Sequence, residues 1–507
     1  MKNINYKAFN IISLAVVLCV LVLFLLRIVL NTGVHSPMHI ITSGYEEESL
    51  YAIWKYIHSQ PVYFDPHKIP FAASYFNWLF YYFYGSVISL LQSIFHFGDE
   101  WIPQVGRYIT LSGCIFGAVI SFKIVNTIIK GETSKLFTAS VIISFFFGYL
   151  IGFWAFSVRP DVWATSLELA GLYAFILFVK SNKKPYLLLS AFVFYLSWSF
   201  KQNFAGVAIG CFFFLLIRKK YKDAALLAII PSSLVLAAVL IGSEDYFYLL
   251  LKSQLKQQGA AFSVGFYNFK LAFIKSFNIT ATAILLSVIL LIHYKAKELI
   301  TKVYRNDTAL LFLLTGVISF VLFALASAKL GASDNYYFSP FAILMMALIY
   351  AFHAGSIHLS RGFFNYAYIF TGLFYIYLGV LIISGKQGIV SQHNVSEKYY
   401  SVKEVITRFP KPVFVEGDNN ANLPWINPGH PNFVLATTYY VLRNDRDKLE
   451  EGGIEGLMEK GYFETIINID KPDEGYKSLY HLSDTVTKDN LKFYIWRKKQ
   501  PDTKPKE

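Results

Sequence analysis

Charge is scarce in this 507-residue chain: 16% of residues are Asp, Glu, Lys or Arg, against 55% hydrophobic. A water-soluble protein of this length needs far more polar surface, so the composition excludes an ordinary soluble enzyme and fits a bilayer. Cysteine is equally sparse. Cys19, Cys114 and Cys211 all sit in apolar runs, which excludes a disulfide framework or cysteine zinc site in the polar C-terminal region. There is no Gly-rich loop ending in Gly-Lys-Ser/Thr, so ATP is not the energy source. No HExxH, Cys/His cluster or Gly-x-Ser-x-Gly turn is present, and no cluster demands a metal. A divalent cation beside grouped carboxylates is the one cofactor left room for. The formal charge of +13 comes with no soluble basic domain or basic-aromatic motif, so nucleic acid is excluded as a partner. Basic residues at helix ends, against anionic lipid head groups, account for it instead.

What is abundant is aromatic: 47 Phe and 35 Tyr, suited to belts at both membrane interfaces. A span needs about 20 apolar residues. Candidates are 11–30, 103–129, 136–155, 162–180, 186–200, 203–217, 224–242, 273–293, 308–327, 336–354 and 364–384, an α-helical polytopic protein with about eleven transmembrane helices. The first run is longer than a signal-peptide core and lacks a good cleavage site, so it reads as a retained span. Lys2/Lys7, Lys130/Lys135, Lys180/Lys183/Lys184, Arg218–Lys222, Lys295–Arg305 and Arg361 fall in alternate loops, which puts the N-terminus inside and everything after 385 outside. Residues 70–97 are apolar enough to span, but a span there inverts every later loop. They read as interfacial or re-entrant helices within an outer loop, 31–102; the alternative is a true span with a compensating break elsewhere. Arg27 and Lys123 lie nearer membrane depth and read as snorkelling side chains.

The polar region 386–507 reads as a small α/β domain: a helix over 396–408, strands over 412–416, 464–469 and 491–497, and a helix over 453–460. No internal repeat is visible.

Four polar features stand out against this apolar background. Glu46, Glu47 and Glu48 are adjacent just outside the first span; side by side they repel, and one can become a general base. The plain alternative is a solvated helix start, where acids favour the helix dipole. Arg159 and Asp161 stand at the outer mouth of a span, able to pair or to hold a polar ligand. Arg107, Arg159, Lys201 and Lys329 lie on the side where basic residues are disfavoured unless something anionic waits there, such as a lipid phosphate. Gly331 to Tyr336, with Asp334 and Asn335, forms a tight polar turn between two spans.

Taken in order, these features resemble the GT-C class of membrane glycosyltransferases, which includes the protein O-mannosyltransferases and the lipid A aminoarabinose transferases. Glu47-Glu48-Ser49-Leu50-Tyr51 resembles the acidic pair before a Tyr that opens their first outer loop. Pro70-Phe71, Tyr75 and Trp78-Leu79 resemble the surface helix that follows, and Arg107 the helix-start Arg. Arg159-Pro160-Asp161, Lys201-Gln202 and the turn through Tyr336 resemble elements of bacterial members. The chain departs in having Glu where Asp is common, and three glutamates in a row, with Glu47 favoured as base and Glu46 and Glu48 as alternates. The resemblance covers about residues 1–380.

The resemblance implies transfer of a sugar from a polyprenyl-phosphate donor to a glycan, lipid or protein acceptor, at the outer face of a bacterial inner membrane. Glu47 would deprotonate the acceptor hydroxyl. Arg159, Lys201, Arg107 and Lys329 would neutralise the departing phosphate, with Gln202, Asp334, Asn335 and Tyr336 as further substrate contacts. Asp161 would orient acceptor or sugar, or position a cation. Direct attack inverts the anomeric centre. Rival readings are a lipid-linked-sugar flippase, which calls for polar groups deep in spans and repeated halves, and an O-antigen polymerase or ligase, which calls for a late outer loop.

Overall fold

The computed structural model describes residues 6–35, 45–129, 135–252, 261–293, 296–329, 331–358, 372–383, 385, 400–416, 423–428, 447–469, 475 and 477–499. Its helices are α1 (Tyr6–Asn31), α2 (Tyr45–Ile57), α3 (Trp78–Phe95), α4 (Ile102–Ile128), α5 (Lys135–Phe146), α6 (Asp161–Ser181), α7 (Lys184–Phe200) and α8 (Gly206–Ile217). There follow α9 (Tyr221–Ile241), α10 (Phe262–Lys275), α11 (Phe277–His293), α12 (Ala296–Arg305), α13 (Asp307–Ser327), α14 (Phe338–His358), α15 (Gly372–Ile383) and α16 (Gly453–Glu459). Among the described residues, seven helices are long and apolar enough to cross a membrane, or eight when the pair α10–α11, bent by 94°, is one span. The chain is therefore a multi-pass membrane protein. Helices α5, α8 and α15 are shorter but also apolar, and each falls on a span read from the sequence.

The two ends of the bundle differ in chemistry. At one end Lys184 pairs with Asp223, Lys220 donates to Asn182 and Arg218 pairs with Asp307 at 2.7 Å. These are the clusters that the sequence placed on the cytoplasmic side. The opposite end gathers the starts of α4 and α6 and the end of α7, and it holds Glu46, Arg107, Asp161 and Lys201.

Helix α3 meets the length and hydropathy requirement for a span. Yet its N-cap, Asn77, donates to the Trp198 carbonyl near the end of α7, and Gln92 in its last turns donates to Asp99, just before α4. Between them the Tyr84 hydroxyl bonds Thr110 of α4 at 2.8 Å. A helix of 18 residues is about 27 Å long. Both of its termini are tied to the Asp161 end of the bundle.

One expected span is interrupted. Over 136–155 the helix stops at Phe146 and resumes only as a single turn, Ile151–Trp154. Gly148 sits in the break, where a Cβ would lie 2.5 Å from the Tyr377 hydroxyl. The Gly148 carbonyl, freed from the helix, accepts from Arg27 at 3.2 Å. Arg27 is thus fully buried against the break and the Phe153 ring, not snorkelling as its position suggested. Losing i→i−4 partners is tolerable at membrane depth only where another group takes the carbonyl.

The C-terminal region forms a four-stranded sheet in the order β1-β2-β4-β3, from Val413–Glu416, Thr465–Ile469, Leu491–Lys498 and Tyr480–Lys488. Strands β1 and β2 are parallel, with α16 in the connection; the other pairs are antiparallel. Its core takes in Phe71 from the first loop, packed with Phe414, Leu457 and Trp496. Backbone bonds join Glu450 to His67 at 2.9 Å, and Trp425 donates to the His35 carbonyl. The sheet is therefore docked on the first loop, at the Asp161 end of the bundle.

Candidate active site

Asp161 opens α6, directly after the Arg159-Pro160 corner, and is completely buried. Its Oδ1 accepts from Lys201 Nζ and from Asn335 Nδ2 at 2.8 Å. Its Oδ2 accepts from Arg159 Nε at 3.4 Å. Three segments far apart in sequence, at 159–161, 201 and 335, thus meet on one carboxylate. Buried charges persist only when paired and hydrogen-bonded, and here two cations share one anion. The surplus positive charge makes this a natural seat for an anionic group.

Aromatic faces surround the cations. The Arg159 guanidinium lies 4.7 Å from the Phe76 ring and 5.5 Å from Trp154, and Lys201 Nζ lies 4.5 Å from the Tyr336 ring. Lys329 is within electrostatic reach of Lys201; it is half-buried, and burial lowers the pKa of its amine. Tyr336 adds a phenol near Asp161 and Arg159.

The three glutamates form the first turn of α2 and are all buried. Glu46 accepts from the Val158 amide at 2.7 Å and from Arg107 Nε at 3.4 Å, while Arg107 also donates to the Val34 carbonyl at 2.6 Å. This brace binds the start of α2 to the residue next to Arg159. Glu48 and Arg159 both act electrostatically on the buried Tyr81 phenol. Glu47 shares their turn. The carboxylate loop and the cation cluster therefore occupy the same end of the bundle. Further along α2, Lys55 is buried against the Phe64 ring and donates to the Val62 carbonyl; burial brings its pKa down to about 7.

Three singled-out residues face elsewhere: Arg107, turned to Glu46 and the Val34 carbonyl, and two more. Gln202 donates to the Tyr75 carbonyl at 3.0 Å, fixing the 201–205 turn to the first loop. Asp334 accepts from Lys275 at 2.5 Å and from Trp154 Nε1 at 3.2 Å, beside the Asp161 cluster rather than in it. Among the described residues no three His, Cys, Asp or Glu side chains come together as a metal site.

Three contributors were not singled out in the sequence. Lys275 was detectable, being another cation at the disfavoured end of an expected span, 273–293. Glu168 was detectable as an acid inside a span. It lies two turns below Asp161 on α6, is fully buried and accepts from the Val207 amide at 3.3 Å. That bond ties the first turn of α8 to α6, and so shapes the turn carrying Lys201. Trp154 gave no signal, because its role arises from the break at Gly148.

A long cavity of about 1340 Å³ runs between α11, α13 and α14. One end lies at Phe269 and Phe341, against Tyr337 of the 334–337 turn; the other lies at Lys302 and Arg305 of α12. Its wall is apolar, from Ile284, Leu291, Leu313, Val317 and Leu344 among others.

No family profile and no curated protein sequence matches the chain. Solved structures do. ArnT from Cupriavidus metallidurans matches over 95% of this chain and 97% of its own, at 10% identity. The TM-score is 0.57 for its structure bound to undecaprenyl phosphate and 0.58 for the apo state. The archaeal oligosaccharyltransferase AglB from Archaeoglobus fulgidus, in complex with an inhibitory peptide and a dolichol-phosphate, matches 90% of this chain and 69% of its own. Its identity is 12% and its TM-score 0.51. The chain has the fold of these transferases, as the resemblance read from its sequence anticipated.

Proposed function

We propose that this protein is a membrane glycosyltransferase of the GT-C type, moving a sugar from a polyprenyl-phosphate donor to an acceptor hydroxyl. The observation that carries this reading is the convergence of Arg159 and Lys201 on buried Asp161, at the end of the bundle that also holds the glutamate turn. A lipid-linked donor accounts for both polar site and apolar cavity: the polyprenyl chain lies between α11, α13 and α14, and its phosphate sits by Arg159, Lys201 and Lys329. The fold shared with ArnT and AglB agrees with this, since those proteins were solved with undecaprenyl phosphate and dolichol-phosphate.

In this mechanism Glu47 takes the proton from the acceptor hydroxyl, and the oxygen attacks the anomeric carbon. The bond from that carbon to the phosphate oxygen breaks, and its electron pair leaves with polyprenyl phosphate. Arg159 and Lys201 stabilise that charge in a site with little water, where such donors contribute most. Asp161, itself fixed by Asn335, holds both cations in place. Glu46 and Arg107 brace the loop that carries the base. On this reading the basic end of the bundle faces the cytoplasm, and the site and the docked sheet face the extracytoplasmic side.

The test is a transfer assay with purified full-length protein and a panel of labelled polyprenyl-phosphate sugars. Label should pass to an envelope glycan, lipid or protein fraction, with free polyprenyl phosphate released in equal amount. Movement of an intact lipid-linked sugar across vesicles, with no transfer, would support a flippase instead.

A further inference from the structure

Beside the Asp161 cluster lies a second cavity, of about 470 Å³, between α10 and the turn at 332–334. Its lining combines Trp154 and Tyr267 with Asn268, Lys275, Ser333 and Asp334. That volume falls in the range of small-molecule sites, about 300–1,000 Å³. The polar groups are pre-organised. Buried Asp334 accepts from Lys275 at 2.5 Å, from Trp154 at 3.2 Å and from Ser333 at 3.1 Å, and buried Asn268 donates to the Ser327 carbonyl at 2.9 Å. A carboxylate offers about four acceptor sites and an ammonium three donors, so this pair keeps capacity for a ligand.

The cavity is one side chain from the proposed reaction centre. Trp154 donates its indole N–H to Asp334 while its ring lies 5.5 Å from the Arg159 guanidinium. Asn335, the residue after Asp334, holds Asp161. We propose that this cavity is a glycosyl-binding subsite. A pyranose has an apolar C–H face, which packs on an aromatic ring such as Tyr267, and hydroxyl edges, which need both donors and acceptors. The Asp334 carboxylate, with the Lys275 ammonium and Ser333 hydroxyl bonded to it, and the Asn268 amide in the same lining supply both. The glycosyl unit comes either from the donor or from a glycan acceptor. This subsite deepens the transferase reading and rests on it.

Saturation-transfer NMR on the full-length protein in nanodiscs tests it, with methyl glucoside, galactoside, mannoside and 4-amino-arabinoside as probes. Ser263→Trp fills the cavity from an exposed position on α10, and Tyr267→Ala removes the stacking face; neither deletes a buried group. At least one glycoside should receive saturation in the wild type, and the signal should fall about fivefold or more in both variants. No saturation of any probe, or equal saturation in the variants, overturns the subsite. In the transfer assay Ser263→Trp raises KM for the donor if the donor sugar binds here, and for the acceptor if the acceptor glycan does. Wild-type KM for both overturns the subsite and leaves the transferase reading intact. Glycoside saturation that both variants lose, with no transfer to any acceptor, overturns the transferase reading and the subsite's place in it, and leaves only a sugar-binding cavity.

Discussion

Replacing Asp161 by Asn is expected to lower kcat for sugar transfer on the order of 10²-fold, the scale at which misplacement of catalytic groups by about 1 Å is felt. The reason is geometric. Asp161 is the common partner of Arg159, Lys201 and Asn335. An Asn whose oxygen still accepts from Lys201 and Asn335 turns its amide nitrogen toward Arg159, donor against donor, and the flipped amide opposes Lys201 and Asn335 instead. The two cations lose their alignment at the moment phosphate charge develops. Affinity for undecaprenyl phosphate moves the other way, since removal of one negative charge leaves a more cationic seat. Asp161→Ala also leaves the two buried cations without their anion, at the same cost of about 3–5 kcal/mol, and removes every acceptor as well, which threatens folding. The Asn variant is therefore the informative one. Measured kcat at the wild-type level, with an unchanged melting temperature, would remove Asp161 from the mechanism.

Glu47→Gln carries the other large effect. A positioned general base contributes about 10²–10⁴-fold, and Gln keeps the shape while losing the basicity. Loss of that size in kcat, with donor KM unchanged, is the expected result. Glu46→Gln serves as its contrast. Glu46 is engaged by Arg107 and the Val158 amide, so its neutralisation leaves a buried guanidinium short of its anion and lowers stability by about 3–5 kcal/mol. A thermal melt reads the stability part of the effect: Glu46→Gln melts early, and the kcat of Glu47→Gln is compared in protein that still melts cooperatively. If the Glu47 variant transfers sugar normally and Glu48→Gln does not, the base is Glu48, whose carboxylate acts on the same Tyr81 phenol as Arg159.

Much of this was legible in the sequence because membrane physics makes polar residues conspicuous. A cation at the disfavoured end of a span marked Arg107, Arg159, Lys201 and Lys329, and the tight turn marked Asn335. What could not be read was partner choice. Arg107 and Arg159 look alike as side chains at span mouths, yet one braces Glu46 and the other faces Asp161. Asp334 and Asn335 are adjacent but diverge, one to Lys275 and one to Asp161, because a 3-10 turn points successive side chains apart. In the C-terminal sheet, β1, β2 and β4 carried apolar runs and were anticipated. Strand β3 (Tyr480–Lys488) was missed because it is an edge strand, polar and exposed along nearly its whole length. Arg27 escaped for a related reason: its carbonyl acceptor exists only because the helix breaks at Gly148, three-dimensional information that a hydropathy run does not hold.

The central claim is that the cations gathered on Asp161 seat a lipid phosphate. Equilibrium binding of undecaprenyl phosphate to the full-length protein in nanodiscs, wild type against Lys201→Met, measures this without requiring turnover or knowledge of the sugar. A charge-assisted hydrogen bond contributes about 1.5–3 kcal/mol, so Kd should rise about 10- to 100-fold in a variant that still melts cooperatively. An unchanged Kd in a folded Lys201→Met protein would mean that the phosphate binds elsewhere, and that the Asp161 cluster is structural.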